Sequence, residues 1–185
     1  DELDKIEKNI IGLLNKLSPK NYETISAKFI EQMDPDIMDS LVPNVHGIVL
    51  KMLCYNETYC RVIKLYNNDD FNRILFDTCK KENDISLGKI EDERAYTSLL
   101  EEKETIQKRY KKYNILFLCD LYNNNVMTMD DLFQEISDGD DIEYICMMLK
   151  GAHKKLKYKN KELYERVVGI VKDASKNKEK YSPKL

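Results

Sequence analysis

The sequence predicts an all-α protein, an α-solenoid of about five antiparallel helical hairpins, and three observations carry that prediction. Glycine and proline supply few breakers, Gly 6 and Pro 4 in 185 residues, about half their usual share, so turns are few and elements long. Apolar residues recur at three- and four-residue spacing in segment after segment, the period of a helix with one buried face. Alternation with period two, the mark of a strand, never lasts beyond a few residues.

Leu3, Ile6, Ile10, Leu13, Leu14 and Leu17 define one amphipathic helix over residues 3–17. Ser18-Pro19 reads as an N-cap followed by proline at the first helical position, ahead of Tyr22, Ile25, Phe29, Ile30 and Met33. Asp34-Pro35 repeats that signal. The helix it starts carries Ile37, Met38 and Leu41, is expected to kink or break near Pro43, and resumes through Val45, Ile48, Val49, Met52 and Leu53. Asn56 opens the stripe Tyr59, Val62, Ile63, Tyr66, and Asn67-Asn68-Asp69-Asp70 punctuates before Phe71, Ile74, Leu75 and Cys79.

Residues 83–93 are polar, contain Gly88 and predict a surface loop. Glu93 to Asn125 predicts one long helix, or two with a bend around Tyr113-Asn114. Thr128 with Asp131 forms a capping box before Met129, Leu132, Phe133 and Ile136. Asp138-Gly139-Asp140 then turns the chain into Ile142, Ile145, Cys146, Leu149, Ala152 and Leu156, and a last stripe is Leu163, Tyr164, Val167, Val168 and Val171. Hairpins thus fall near 3–33, 36–67, 69–125, 128–157 and 160 onward. None can bury its apolar face alone, and stacked units of this length are the signature of a HEAT-type solenoid. Residues 1–175 are expected to form the repeat domain and 176–185 a tail or a shortened last helix.

Hydrophobic residues make up 42% and charged residues 34% of the chain, too apolar for a disordered tail and too charged for a membrane protein. The longest apolar runs are a few residues, so no membrane span is expected. The net charge of −3 hides an asymmetry: residues 150–185 hold twelve Lys/Arg and four acids, a balance of +8, which leaves −11 on residues 1–149. Five cysteines (54, 60, 79, 119, 146) lie on or beside apolar stripes without metal-ligand spacing, which predicts small buried thiols in a reducing compartment.

Catalytic motifs are missing from the sequence. His46 and His153 have no ligand-type residue at helical spacing that completes a site, and a surface or half-buried structural role is expected for both. No glycine-rich phosphate loop, GxSxG or HExxH occurs. Asp138-Gly139-Asp140-Asp141 lacks calcium-loop spacing and fits a helix start instead. No enzyme, metal or cofactor is expected. Two basic features remain. Lys150, Lys154, Lys155, Lys157, Lys159 and Lys161 cluster near the C-terminus, and 150, 154, 157 and 161 share a helical line if that helix continues so far. Contact with RNA phosphates or an acidic protein face, and an ordinary solvated helix face, are both open readings. Arg166 is the one arginine in this stretch, which favours a nonspecific field over bidentate base reading. Lys108, Arg109, Lys111 and Lys112, interleaved with Tyr110 and Tyr113, are a second candidate RNA contact, or a helix surface with its own core tyrosines.

Four segments, in order, resemble the middle domain of eukaryotic translation initiation factor 4 gamma, the scaffold of the cap-binding complex. Ile11-Gly12-Leu13-Leu14-Asn15-Lys16-Leu17-Ser18-Pro19 is similar to that family's opening I-L-N-K-L-T-P hairpin. Phe71-Asn72-Arg73-Ile74-Leu75-Phe76-Asp77-Thr78-Cys79-Lys80-Lys81-Glu82 resembles its F-R-x-L-L-L-N-x-C-Q-K-E-F stretch, with Asp77 and Lys80 in place of the usual Asn and Gln. Asn114-Ile115-Leu116-Phe117-Leu118-Cys119-Asp120-Leu121-Tyr122 resembles N-I-x-F-I-G-E-L-F, and Asp141–Leu149 resembles E-x-L-E-C-L-C-x-L-L. The family's loop between its second and third repeats is shortened here to Asn67–Asp70, which implies a divergent or reduced member.

The resemblance implies a cytoplasmic scaffold that binds a DEAD-box RNA helicase of the initiation factor 4 alpha type across its two lobes and stimulates its cycle, with weak auxiliary RNA binding and other initiation factors as further partners. On the matching positions, helicase contacts fall on Leu14, Asn15, Lys16 and Leu17, on Phe76, Lys80 and Lys81, on Asn114 and Phe117, and on Tyr164, Arg166 and Lys172. Phe76 and Phe117 serve equally well as core. Polar Asn15, Lys16 and Lys80 are the stronger interface candidates, because a core has little use for them. Two alternatives stand beside it: a related middle-domain protein of nonsense-mediated decay, nuclear cap binding or splicing, and an RNA-binding solenoid without a helicase partner.

Overall fold

The first stripe becomes α1, Glu2–Leu14, whose N-terminus is closed by the Asp1 carboxylate accepting the Leu3 N–H at 3.4 Å. The computed structural model describes residues 1–83, 93–128, 130, 133 and 142–177, with side chains at all of these except 53, 82–83, 93–104 and 107. Among them the chain is all-α. After α1 come α2 (Tyr22–Gln32), α3 (Met38–Lys51), α4 (Asn56–Tyr66), α5 (Asp69–Asn83), α6 (Glu93–Asn123), α7 (Ile142–Lys159) and α8 (Lys161–Lys176), with 3₁₀ turns at Pro35–Ile37 and Leu53–Tyr55. None of the described helices is long and apolar enough to cross a membrane.

The helices pack as a helical-repeat solenoid. α1, α3 and α5 lie side by side in one layer, α2, α4 and α6 in a second, and α7 then packs on α6 and α8 on α7. Hairpins α1–α2 and α5–α6 pair directly, whereas α3 and α4 meet mainly through the Leu53–Tyr55 turn. A continuous core results, running from Ile10, Leu14 and Leu17 through Leu41, Val45 and Val49, on to Phe71, Leu75, Phe117 and Leu121, and ending at Leu156, Leu163 and Val167. Between the layers Phe29, Tyr66 and Phe71 meet edge-on, with centroids 5.5 to 6.2 Å apart, and tie α2, α4 and α5 together. α6 and α7 approach so closely that a Cβ on Gly151 would lie 2.7 Å from the Cys119 Sγ.

Several boundaries differ from the sequence expectation for local physical reasons. α2 starts at Tyr22, not at Pro19, because the Asn21 side chain takes both the Ser18 N–H and the Lys16 carbonyl and makes residues 18–21 a turn. α3 runs unbroken across Pro43. Pro43 and Asn44 are exposed, so the Asp39 carbonyl that Pro43 cannot pair faces water. α6 is one helix of 31 residues without a break at Tyr113-Asn114. The Asp34-Pro35 signal holds: the Asp34 carboxylate accepts the Asp36 N–H at 2.9 Å ahead of the 3₁₀ turn. So does the 67–70 punctuation, with Asn67 left-handed (φ 48°) and Asn68 Oδ1 accepting the Phe71 N–H at 2.9 Å. The Gly88 loop, Met129, Asp131, Leu132, Ile136, Asp138–Asp141 and the tail from 178 lie outside the described residues. Lys176 still belongs to α8.

Candidate interaction surfaces

The turn between α1 and α2 is clamped from three sides. Leu14 and Leu17 are each 1% exposed and anchor it to the core. Asn21 bridges it from within, its Oδ1 accepting the Ser18 N–H and its Nδ2 donating to the Lys16 carbonyl, both at 2.7 Å. From α4 the Tyr59 hydroxyl donates to the Leu14 carbonyl at 2.7 Å, and burial pushes that phenol up to about 12. Asn15 and Lys16 are left exposed at the tip of a braced turn. Leu14 and Leu17 therefore cannot touch a partner directly; they are the footing of the turn.

A second correction concerns Asn114 and Phe117, each 0% exposed. Asn114 Oδ1 lies 2.7 Å from His46 Nε2, and its Nδ2 donates to the Cys79 carbonyl at 2.8 Å. One amide thus links α3, α5 and α6, and with the amide nitrogen committed to Cys79 the contact requires His46 to donate from Nε2. Phe117 packs beside the imidazole, centroids 6.3 Å apart. Both residues belong to the core because α6 turns this face into the stack. His46, expected at the surface or half-buried, is 3% exposed. Its place was readable: Val42, Val45 and Val49, all buried, stand four, one and three residues away on the same helix.

On α5, Phe76 is half-buried against the core, and the Lys80 ammonium sits 5.7 Å from its ring centroid. Lys81 is exposed beside it. On α8, Tyr164 is half-buried with the Lys157 ammonium 5.9 Å from its ring, and Lys172 is exposed. The exposed Arg166 guanidinium donates to the Phe133 carbonyl. Structure thus separates the helicase candidates into buried Leu14, Leu17, Asn114 and Phe117 and accessible Asn15, Lys16, Lys81, Arg166 and Lys172, with Phe76, Lys80 and Tyr164 between.

The basic residues divide in the same way. α7 ends at Lys159, and Asn160 caps α8 by accepting the Leu163 N–H at 3.1 Å. Lys161 therefore starts a new helix and does not extend the line of Lys150, Lys154 and Lys157, which are exposed on α7. Lys155 points inward: its ammonium donates to the Tyr122 carbonyl at the end of α6 and lies 4.1 Å from the Tyr122 ring centroid. Its pKa is lowered by burial and by the neighbouring Lys159. Lys155 is thus a cap on the α6 C-terminus, where a cation suits the helix dipole, and not a phosphate contact. Lys112 pairs with Glu143 at 2.7 Å and Lys111 faces the Tyr144 ring at 5.9 Å, so both are taken up in the α6–α7 contact. Lys108 and Arg109 remain exposed.

Chemistry-bearing residues outside these surfaces are few. Among the described residues no three potential metal ligands converge. Cys60, Cys79 and Cys119 are buried and Cys146 half-buried, while Cys54, in the Leu53–Tyr55 turn, is the exposed exception to the expected pattern. Burial raises the Cys119 thiol to about 12 and pushes Cys60 up as well, so neither forms a nucleophilic thiolate near neutrality. The groove between Tyr122, Met127, Asp130 and Lys155 holds about 270 Å³, and three of its polar groups bond one another, the Tyr122 hydroxyl donating to Asp130 at 3.3 Å and the Lys155 ammonium to the Tyr122 carbonyl. In comparisons with known proteins, no family model and no curated protein matches the chain.

Proposed function

We propose that this solenoid is a non-catalytic scaffold that binds a DEAD-box RNA helicase of translation initiation and stimulates its cycle in the cytoplasm, with an auxiliary RNA contact at its basic end. One observation carries the reading. The segment Leu14–Pro19, one of the four that resemble the family, is a braced turn whose exposed polar residues, Asn15 and Lys16, face solvent. A tip held by buried leucines and two side-chain clamps loses little conformational freedom when a partner docks on it. Stimulation then works by population shift. A surface that binds one arrangement of the helicase lobes more tightly than the others raises its population by that difference in affinity.

The test is the RNA-dependent ATPase rate of the helicase with and without the chain, beside the double variant Asn15→Ala/Lys16→Glu. The intact chain is expected to raise the rate and the variant, still folded by circular dichroism, to lose most of the gain. No stimulation by the intact chain refutes the proposal. The exposed row Lys150, Lys154 and Lys157 supports a second reading, an RNA-binding solenoid without a helicase. It is favoured if RNA affinity is high while the helicase rate is unmoved.

A further inference from the structure

Tyr158 is 85% exposed, near the end of α7. Every other tyrosine whose side chain is described is buried or half-buried, so this ring departs from how the fold uses the residue. It lies off the apolar stripe that Ile145, Leu149, Ala152 and Leu156 place against α6 and α8, and packing gives no account of it. Its neighbours are cations: Lys154 one turn before it, Lys157 adjacent, and the Lys159 ammonium 5.9 Å from its ring centroid. That contact is the one described for the ring. Lys150, Lys154 and Lys157 line the neighbouring strip of the helix at 1.5 Å of rise per residue, and all three are exposed.

We infer that Tyr158 is a base-stacking platform and that the face of α7 takes single-stranded RNA, with Lys150, Lys154 and Lys157 on its phosphates. This rests on the RNA contact in the proposed function and specifies its form. A cationic track beside an unhindered aromatic face is the physical recipe for sequence-tolerant single-strand binding, since every base has a π-face and a duplex keeps its bases stacked inside. The scarcity of arginine agrees, because lysine supplies field without bidentate base recognition.

The experiment is fluorescence anisotropy of the whole chain with a labelled oligouridine and with a blunt RNA duplex, across a salt series. Tyr158→Ala is expected to weaken oligouridine binding about tenfold, the lower part of the range for one stacked base, to leave the duplex affinity and the salt slope unchanged, and to be rescued by Tyr158→Phe. Lys154→Glu/Lys157→Glu is expected to weaken both RNAs and to flatten the single-strand salt slope by about 0.7 per lost phosphate contact. An equal loss on both RNAs, or none with Tyr158→Ala, overturns the stacking inference while the RNA contact stands. If the intact chain binds neither RNA, the RNA contact falls too, and the helicase assay alone decides the scaffold reading.

Discussion

Removing the Asn114 amide is the most searching test of the burial described above, because the family resemblance places that residue at a helicase interface and the structure places it between three helices. In Asn114→Ala the His46 Nε2 proton and the Cys79 carbonyl lose partners at 2.7 and 2.8 Å, in a site where Asn114 is 0% and His46 3% exposed. Losing a buried hydrogen-bond partner costs about 1–3 kcal/mol, so two such losses at the lower end give about 2 kcal/mol, with a small cavity adding to it. With a urea m-value of about 2 kcal/mol/M, the unfolding midpoint falls by about 1 M. Circular dichroism in a urea series measures that shift, and an unchanged slope shows that the compactness of the end states is the same. Without denaturant the variant stays folded if stability lies in the usual range of about 5–15 kcal/mol, and it should then still stimulate a helicase that responds to the intact chain. A loss under about 1 kcal/mol would refute the buried bridge. Abolished stimulation by a folded, nearly unshifted variant would put Asn114 back at an interface.

Three further perturbations test the packing. Asp120 is half-buried, its pKa is raised first by burial, and it bonds the Asn56 side chain, whose Oδ1 has no partner. Asp120→Asn should stabilise by about 1 kcal/mol at pH 7, since an amide can both accept from Asn56 and donate to its orphan oxygen. Because the raised carboxyl favours its neutral form when folded, the gain should shrink as pH falls toward its ordinary value and the wild-type acid protonates; a gain that persists at low pH would contradict this. Gly151→Ala should lower the urea midpoint even though alanine is the better helix former, because its Cβ would meet Cys119 at 2.7 Å. Overpacking of this kind costs about 1–3 kcal/mol, and a neutral or stabilising result would mean that α6 and α7 are less closely packed. Tyr59 and Tyr122 are both raised to about 12, with burial the first cause. Their contribution to stability is complete below the unfolded tyrosine value of about 10 and is lost as pH rises toward 12. Alkaline unfolding followed by tyrosinate absorbance should begin in that window, and Tyr59→Phe should lose part of the pH dependence.

The local code was legible wherever one helix sufficed to write it. The stripes Leu3 to Leu14, Tyr59 to Tyr66 and Leu163 to Val171 became helices because their period is a property of a single segment. Asn67 ended one helix and Asn68 began the next, as their side chains and the left-handed backbone at Asn67 allow. Those segments, too short to bury a face alone, also required stacking, so the sequence by itself determined an all-α solenoid. Where a polar side chain would lie was not legible, because that depends on which neighbour crosses above it. Asn114 and Asn15 have the same chemistry; α3 and α5 enclose one, and the other sits on a turn with nothing packed over its tip. Lys154 and Lys155 are adjacent in sequence, yet only Lys155 meets the end of α6 and becomes a cap. Tyr158 shows the reverse, an aromatic that composition counts toward a core and the stack leaves in water. Period chooses a face, but only the tertiary arrangement supplies or withholds the partner that makes burying a polar group affordable.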